Sequence, residues 1–239
     1  MIAEKLHMVE SEIEKARLRR TRVPKDAPVC LVAVTKNHDV SAMREAIDAG
    51  VSEIGENRIQ EAKSKYDCLE RSVKWHLIGH LQTNKAKQAV KYFNLIHSVD
   101  SSHLAVALDK AAASIPKVQD VLVQVNLAEE DSKSGVHRDG LMDLLKEVDS
   151  LENLRLRGLM LIAPFYEDAE MCRPLFQEMY EIFQKIRDMD WNRAKVEYLS
   201  MGMTHDYKIA VEEGANIVRV GTAIFGQRHY EGVEDNGDH

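Results

Sequence analysis

Short runs of branched and small apolar residues alternate along the chain with stretches in which apolar residues recur every three or four positions. The first run, residues 29–36, is Val-Cys-Leu-Val-Ala-Val-Thr-Lys. A near-continuous apolar run of this kind reads as a strand buried on both faces, and period-3.6 stretches read as helices packed on one side. Further strands are expected at 51–57, 73–80, 95–99, 121–126, 154–162, 195–200 and 216–220. Helices are expected between them at 41–49, 58–69, 84–93, 102–114, 138–151, 168–189 and 205–213. Gly50 and Gly214 stand at helix-stop positions. An extra amphipathic helix, with Leu6, Val9, Ile13 and Ala16 on one side, comes before the first strand.

Strands that alternate with helices pair in parallel through right-handed crossovers, and eight such units close a sheet into a barrel. The expected fold class is therefore α/β, a single (β/α)8 TIM barrel with an additional N-terminal helix. The open doubly wound sheet is the alternative, but no glycine-rich dinucleotide loop follows the first strand. No low-complexity linker divides the sequence, so residues 1–230 are read as one domain and 231–239 as a short acidic tail, expected to be disordered.

Composition narrows the function classes. At 239 residues, 44% hydrophobic and 30% charged, the chain is globular in character. A net charge of −7 disfavours a general nucleic-acid binder, and Lys85, Lys87 and Lys91 read as a solvated helix face. The three cysteines, Cys30, Cys68 and Cys172, are too few and too widely spaced for a disulfide framework or a zinc knuckle. Reduced thiols, and the absence of a signal-peptide or membrane-spanning pattern, lead us to expect a cytoplasmic protein without membrane association.

A barrel concentrates its chemistry at the carboxyl ends of its strands, with phosphate commonly held after strands seven and eight. The strand ends here offer Lys36, Asn57, His80, Asp100, Asn126, Met160, Ser200 and Arg219. An amine in a partly buried site is a nucleophile toward carbonyls. Ser200-Met201-Gly202-Met203-Thr204 and Gly221-Thr222 supply hydroxyls and backbone amides suited to an anion. Alternation turns Arg219 inward with Ile217, where a guanidinium needs a partner or a ligand. An amine, an anion cradle and an inward cation together suit a phosphorylated aldehyde, of which pyridoxal phosphate is one. His76 and His80 share a strand face, but no third ligand at suitable spacing makes a metal site, and none is expected. Cys30 reads as core, Met201 and Met203 as packing, and Asp206 as a helix N-terminal residue.

The segments 32–36 (VAVTK), 55–61 (GENRIQE), 76–85 (HLIGHLQTNK), 157–160 (RGLM), 200–204 (SMGMT) and 219–226 (RVGTAIFG) resemble, in order, the YggS-like pyridoxal phosphate homeostasis proteins. The resemblance implies a barrel of the alanine-racemase amino-domain type with pyridoxal 5′-phosphate as a Schiff base on Lys36. It further implies that Ser200, Gly221 and Thr222 hold the phosphate, that Arg219 faces the pyridine nitrogen, and that Asn57 and Met160 line the ring site. Thr204 stands where many relatives have serine, which keeps the hydroxyl.

The favoured reading is a protein of cofactor homeostasis, buffering pyridoxal phosphate or delivering it to apo-enzymes as a monomer or weak dimer, without robust catalysis. A racemase-like enzyme is the alternative; against it, the sequence ends soon after strand eight, where racemases of this type continue into a domain that supplies a second catalytic residue. A cofactor-free aldolase using Lys36 on a sugar phosphate is the third reading, and the six motifs together disfavour it.

Overall fold

In the computed structural model the apolar runs become strands β1 (Cys30–Val34), β2 (Glu53–Glu56), β3 (Lys74–Leu77), β4 (Leu95–Val99), β5 (Gln119–Val125), β6 (Leu154–Leu161), β7 (Tyr198–Met203) and β8 (Ile217–Val220). Each pairs in parallel with the next, and β8 pairs back onto β1, closing the barrel. The structure describes residues 1–128 and 134–226. The end of the expected domain at residue 230 and the acidic tail lie outside them.

The helices are α1 (Ile2–Leu18), α2 (Val40–Asp48), α3 (Ile59–Tyr66), α4 (Ala86–Tyr92), α5 (Ser102–Ala113), α6 (Arg138–Ser150), α7 (Arg173–Arg187), α8 (Tyr207–Glu212) and α9 (Thr222–Phe225). They cover the outer face of the sheet, and their apolar stripes with the outward strand residues form the main core. Inside the barrel Val32, Leu95, Leu122, Met160 and Ile217 form a second, smaller cluster.

Helix α1 buries Leu6, Val9, Ile13 and Ala16, as its periodicity requires, and packs on α8, α9 and α2. The buried Arg20 just after it donates to the carbonyls of Val211, Ala215 and Ala27 at 3.0, 2.7 and 2.8 Å. This guanidinium satisfies carbonyls in the α8–β8 turn and pins the N-terminal helix beside the last strand.

Several boundaries differ from the sequence reading, each for a local reason. Strand β7 starts at Tyr198 and continues to Met203, so Ser200 lies inside the strand, paired with Ile217 of β8, rather than at its end. Strand β3 ends at Leu77, so His80 belongs to the following loop. The helix expected at 168–189 is divided: Asp168 caps a 3-10 turn, Ala169–Cys172, and α7 starts anew with a proline in its first turn. The segment 222–225, read as a binding loop, forms the short helix α9.

Candidate functional site

At the carboxyl ends of the strands a cavity of about 460 Å³ opens to solvent. Lys36, Asn57, Arg219, Gly221 and Thr222 all line it, as do Ile78, Ile162 and Thr204. Met160 does not. It is fully buried one strand pair below the rim, in the interior cluster, because side chains of one strand face recur every second residue and Ile162 is the next one up. Ser200 is likewise fully buried beneath the cavity, its hydroxyl engaged by His97 Nδ1 at 2.9 Å and by Arg219 Nη1.

Lys36 stands two residues beyond β1 in a turn held from behind. Thr35 points outward, its hydroxyl donating to Glu56 Oε1 at 2.6 Å. The Lys65 ammonium on α3 donates to the Thr35 carbonyl at 2.8 Å, to Glu56 at 2.8 Å and to Glu61 at 2.7 Å. Glu61 also receives the amide of Asn37, which has a left-handed φ of 62°. Burial pushes the Glu56 carboxyl up, and Lys65 with Thr35 pulls it partly back. This cluster fixes both flanks of Lys36.

Asn57 owes its position to Gly79. A Cβ on Gly79 would stand 2.4 Å from the Asn57 carbonyl oxygen and 2.8 Å from its Cα, so only glycine lets the β3 end lie against this backbone. Across the cavity, the chain leaves β7 through Gly202, whose φ of +95° suits glycine. The turn brings Thr204 beside β8, and the Gly221 amide donates to its Oγ1 at 3.2 Å. Asp206 holds this turn by accepting the Met203 amide at 2.6 Å; it stands at the N-terminal position of α8, as the sequence suggested, but its side chain makes no capping hydrogen bond to that helix. Thr204, Gly221 and Thr222 thus present hydroxyl and amide groups together at the entrance to α9. Phe225 of α9 stacks on His38, with ring centroids 4.7 Å apart, joining the β8 end to the β1 end.

Arg219 extends inward from β8 to the cavity floor. It donates to Ser200 Oγ and, at 2.8 Å, to the Leu161 carbonyl. Burial lowers its pKa to about 10, partly offset by Asp206, so it remains a cation at neutral pH. His76 Nδ1 is 2.9 Å from His97 Nε2, and His80 sits near Ser134 and Asp100. Among the described residues no three potential ligands come together.

The sequence reading does not single out Ile78, Ile162 or His97, and it names Thr204 only as part of the 200–204 segment. Because β7 runs three residues further than expected, Thr204 rather than Ser200 reaches the cavity. His97 carried no signal, since a histidine in an apolar run looks like an isolated core residue.

Residues 14–229 match the family model described as "Alanine racemase, N-terminal domain". A pyridoxal phosphate homeostasis protein of Aquifex aeolicus is 40% identical, the match covering 95% of this chain and 98% of the relative. One of Escherichia coli K12 is 37% identical, with 96% and 97% covered. The structure of PipY of Synechococcus elongatus PCC7942 with pyridoxal phosphate bound superposes with a TM-score of 0.82 at 37% identity, over 95% of this chain and 100% of that one. With the six motifs, the closed barrel and the mouth they share, the chain belongs to the family of pyridoxal phosphate homeostasis proteins, built on the alanine racemase N-terminal domain.

Proposed function

We propose that the cavity at the carboxyl-terminal mouth holds pyridoxal 5′-phosphate, and that the protein serves cofactor homeostasis by holding and releasing it rather than by turning over a substrate. The observation that carries this reading is the convergence of Lys36, Asn57, Arg219, Gly221 and Thr222 from three strand ends on one cavity. Its volume of about 460 Å³ lies within the range usual for small-molecule sites. The donor set matches the group part by part: an amine for the aldehyde, hydroxyls and an amide for the phosphate, a cation for the ring nitrogen, and Ile78 and Ile162 as apolar walls. When bound, the cofactor supplies an aldehyde that condenses reversibly with amines and a ring able to delocalise electrons.

Each residue has a defined task in this reading. Lys36 supplies the amine, held by the Lys65 cluster behind it. Thr222, Gly221 and Thr204 receive the phosphate, Thr204 occupying the place first assigned to Ser200. Asn57, positioned by Gly79, borders the ring. Arg219 donates toward the pyridine nitrogen and, being a cation, disfavours a proton there. That weakens the ring as an electron sink and speaks for storage or delivery over racemisation. The names of the relatives and the cofactor bound to PipY support the same reading.

The test is chemical labelling. After loading with pyridoxal phosphate and reduction with borohydride, peptide mass spectrometry is expected to place the cofactor on Lys36, and Lys36→Ala to lose the label. A label on another lysine of the wild-type protein overturns the site. Across an amino-acid panel the loaded protein is expected to stay well below roughly 1 turnover per second, an ordinary enzymatic rate. Turnover at that rate favours the racemase-like reading.

A further inference from the structure

We propose that Arg219, Ser200, His97, His76 and Glu53 form one directional chain of polar contacts through the barrel, which holds the guanidinium at the ring site and ties its donor strength to Glu53 at the opposite mouth. The chain is continuous. Arg219 Nη1 donates to Ser200 Oγ; Ser200 Oγ lies 2.9 Å from His97 Nδ1; His97 Nε2 lies 2.9 Å from His76 Nδ1. His76 Nε2 approaches Glu53 Oε2 to 2.7 Å, a polar contact that falls short of hydrogen-bond alignment. Five strands contribute: β8, β7, β4, β3 and, at the lower end, β2. Ser200 and His97 are completely buried, and His76 and Arg219 nearly so. Glu53 lines a second cavity, of about 440 Å³, which opens at the amino-terminal mouth.

The two ends decide where the protons sit. A guanidinium only donates, and an ionised carboxylate only accepts. Burial raises the Glu53 carboxyl, but His76 and Lys74 outweigh it and hold it at about 2. Burial, with His76 and Arg219 nearby, keeps the His97 imidazole neutral at pH 7. With Nε2–H turned to the Glu53 carboxylate, His76 Nδ1 accepts from His97 Nε2–H, His97 Nδ1 accepts the hydroxyl hydrogen of Ser200, and Ser200 Oγ accepts from Arg219. The three hydrogen bonds and the closing contact to Glu53 all run downward from the cavity.

The reverse order has His76 donate from Nδ1 and turn the Nε2 lone pair toward Glu53 Oε2 at 2.7 Å, so that two acceptors face each other. The other charged groups near the lower end are Lys74, paired with Glu53; Asp120, paired with Arg155 and Arg157; and Lys117, which donates to the Val90 and Phe93 carbonyls. The Cys30 thiol there is pushed up by burial and Glu53, and stays protonated.

Ser200, His97, His76 and Glu53 are therefore positioning residues, acting on the cofactor only through Arg219. The spectral part of the test rests on the site reading above; the magnetic-resonance part does not. Nitrogen-15 resonance of the cofactor-free protein at pH 7 is expected to show His97 neutral with the proton on Nε2. A His97 protonated on Nδ1, or charged, overturns the chain.

In the loaded protein Glu53→Gln is expected to shift the absorption maximum of the bound cofactor, whereas Asp120→Asn, which removes a carboxylate from the same mouth outside the chain, leaves it in place. His97→Leu is expected to weaken pyridoxal phosphate binding about tenfold, as loss of one buried hydrogen-bond partner does. An unshifted spectrum in folded, loaded Glu53→Gln overturns the coupling. Failure of the wild type to take up the cofactor removes the site reading and leaves the resonance result to decide the chain.

Discussion

Lys36 is the residue on which the proposed function turns, and the residue that most determines its setting is Lys65. The Lys65 ammonium is buried, and it joins the Thr35 carbonyl, Glu56 and Glu61 on two sides of the same turn. Removing one member of a buried ion pair leaves the other charge desolvated and uncompensated, a loss of about 3–5 kcal/mol. Lys65→Met is expected to lower stability by that order, seen as an earlier urea midpoint at unchanged slope. Adding Glu56→Gln to it removes the orphaned charge and is expected to recover part of the loss. If Lys65→Met unfolds at the wild-type midpoint, the cluster contributes nothing to the turn.

At the level of elements, the site depends on how closely neighbouring strand ends approach. β2 and β3 are in register from Glu53 opposite Lys74 to Glu56 opposite Leu77, and beyond that register Gly79 rests on the Asn57 backbone. Gly79→Ala places a methyl group where the Asn57 carbonyl already stands. Such overpacking against backbone costs about 1–3 kcal/mol. The expected result is a folded barrel, unchanged in far-ultraviolet circular dichroism, with a lower thermal midpoint and weaker cofactor binding. Wild-type affinity in Gly79→Ala would mean that Asn57 does not border the ring. The same logic of close approach explains α9: it starts at Thr222 directly after β8, so the residues read as a loop are fixed by a helical turn and by the stacking of Phe225 on His38.

For the whole molecule, the barrel separates structural from functional demands. The main core lies between the strands and the helices, while the interior carries polar groups in its middle layer, with His76, His97, Ser200 and Arg219 beside Val32, Leu122 and Met160. Barrel interiors are usually dominated by branched apolar residues, so this layer gives up some hydrophobic stabilisation. Ligand that binds only the folded state returns stability by mass action, about 2.7 kcal/mol at a hundredfold excess over Kd. For a chain of this size that corresponds to a rise in Tm of about 5–10 °C. Calorimetry with pyridoxal phosphate is expected to show it, and pyridoxal without the phosphate to show much less. Among the described residues no helix is long and apolar enough to cross a membrane.

Periodicity alone determined the eight strands and the helices between them, because burying one side of a helix or both faces of a strand leaves a repeat in the chain. It also determined that the chemistry gathers at one mouth, since parallel strands send all their carboxyl ends the same way. Lys36, Asn57, Arg219, Gly221 and Thr222 were legible for that reason. The tertiary structure decided what depends on where each strand stops and what it faces. Three extra residues in β7 lower Ser200 into the interior and raise Thr204 to the mouth, and the level of Met160 in β6 leaves Ile162 at the cavity wall. It alone paired His97 with His76 and Ser200, residues from three strands, because barrel closure sets side chains far apart in sequence at hydrogen-bonding distance, and no local pattern records which ones meet.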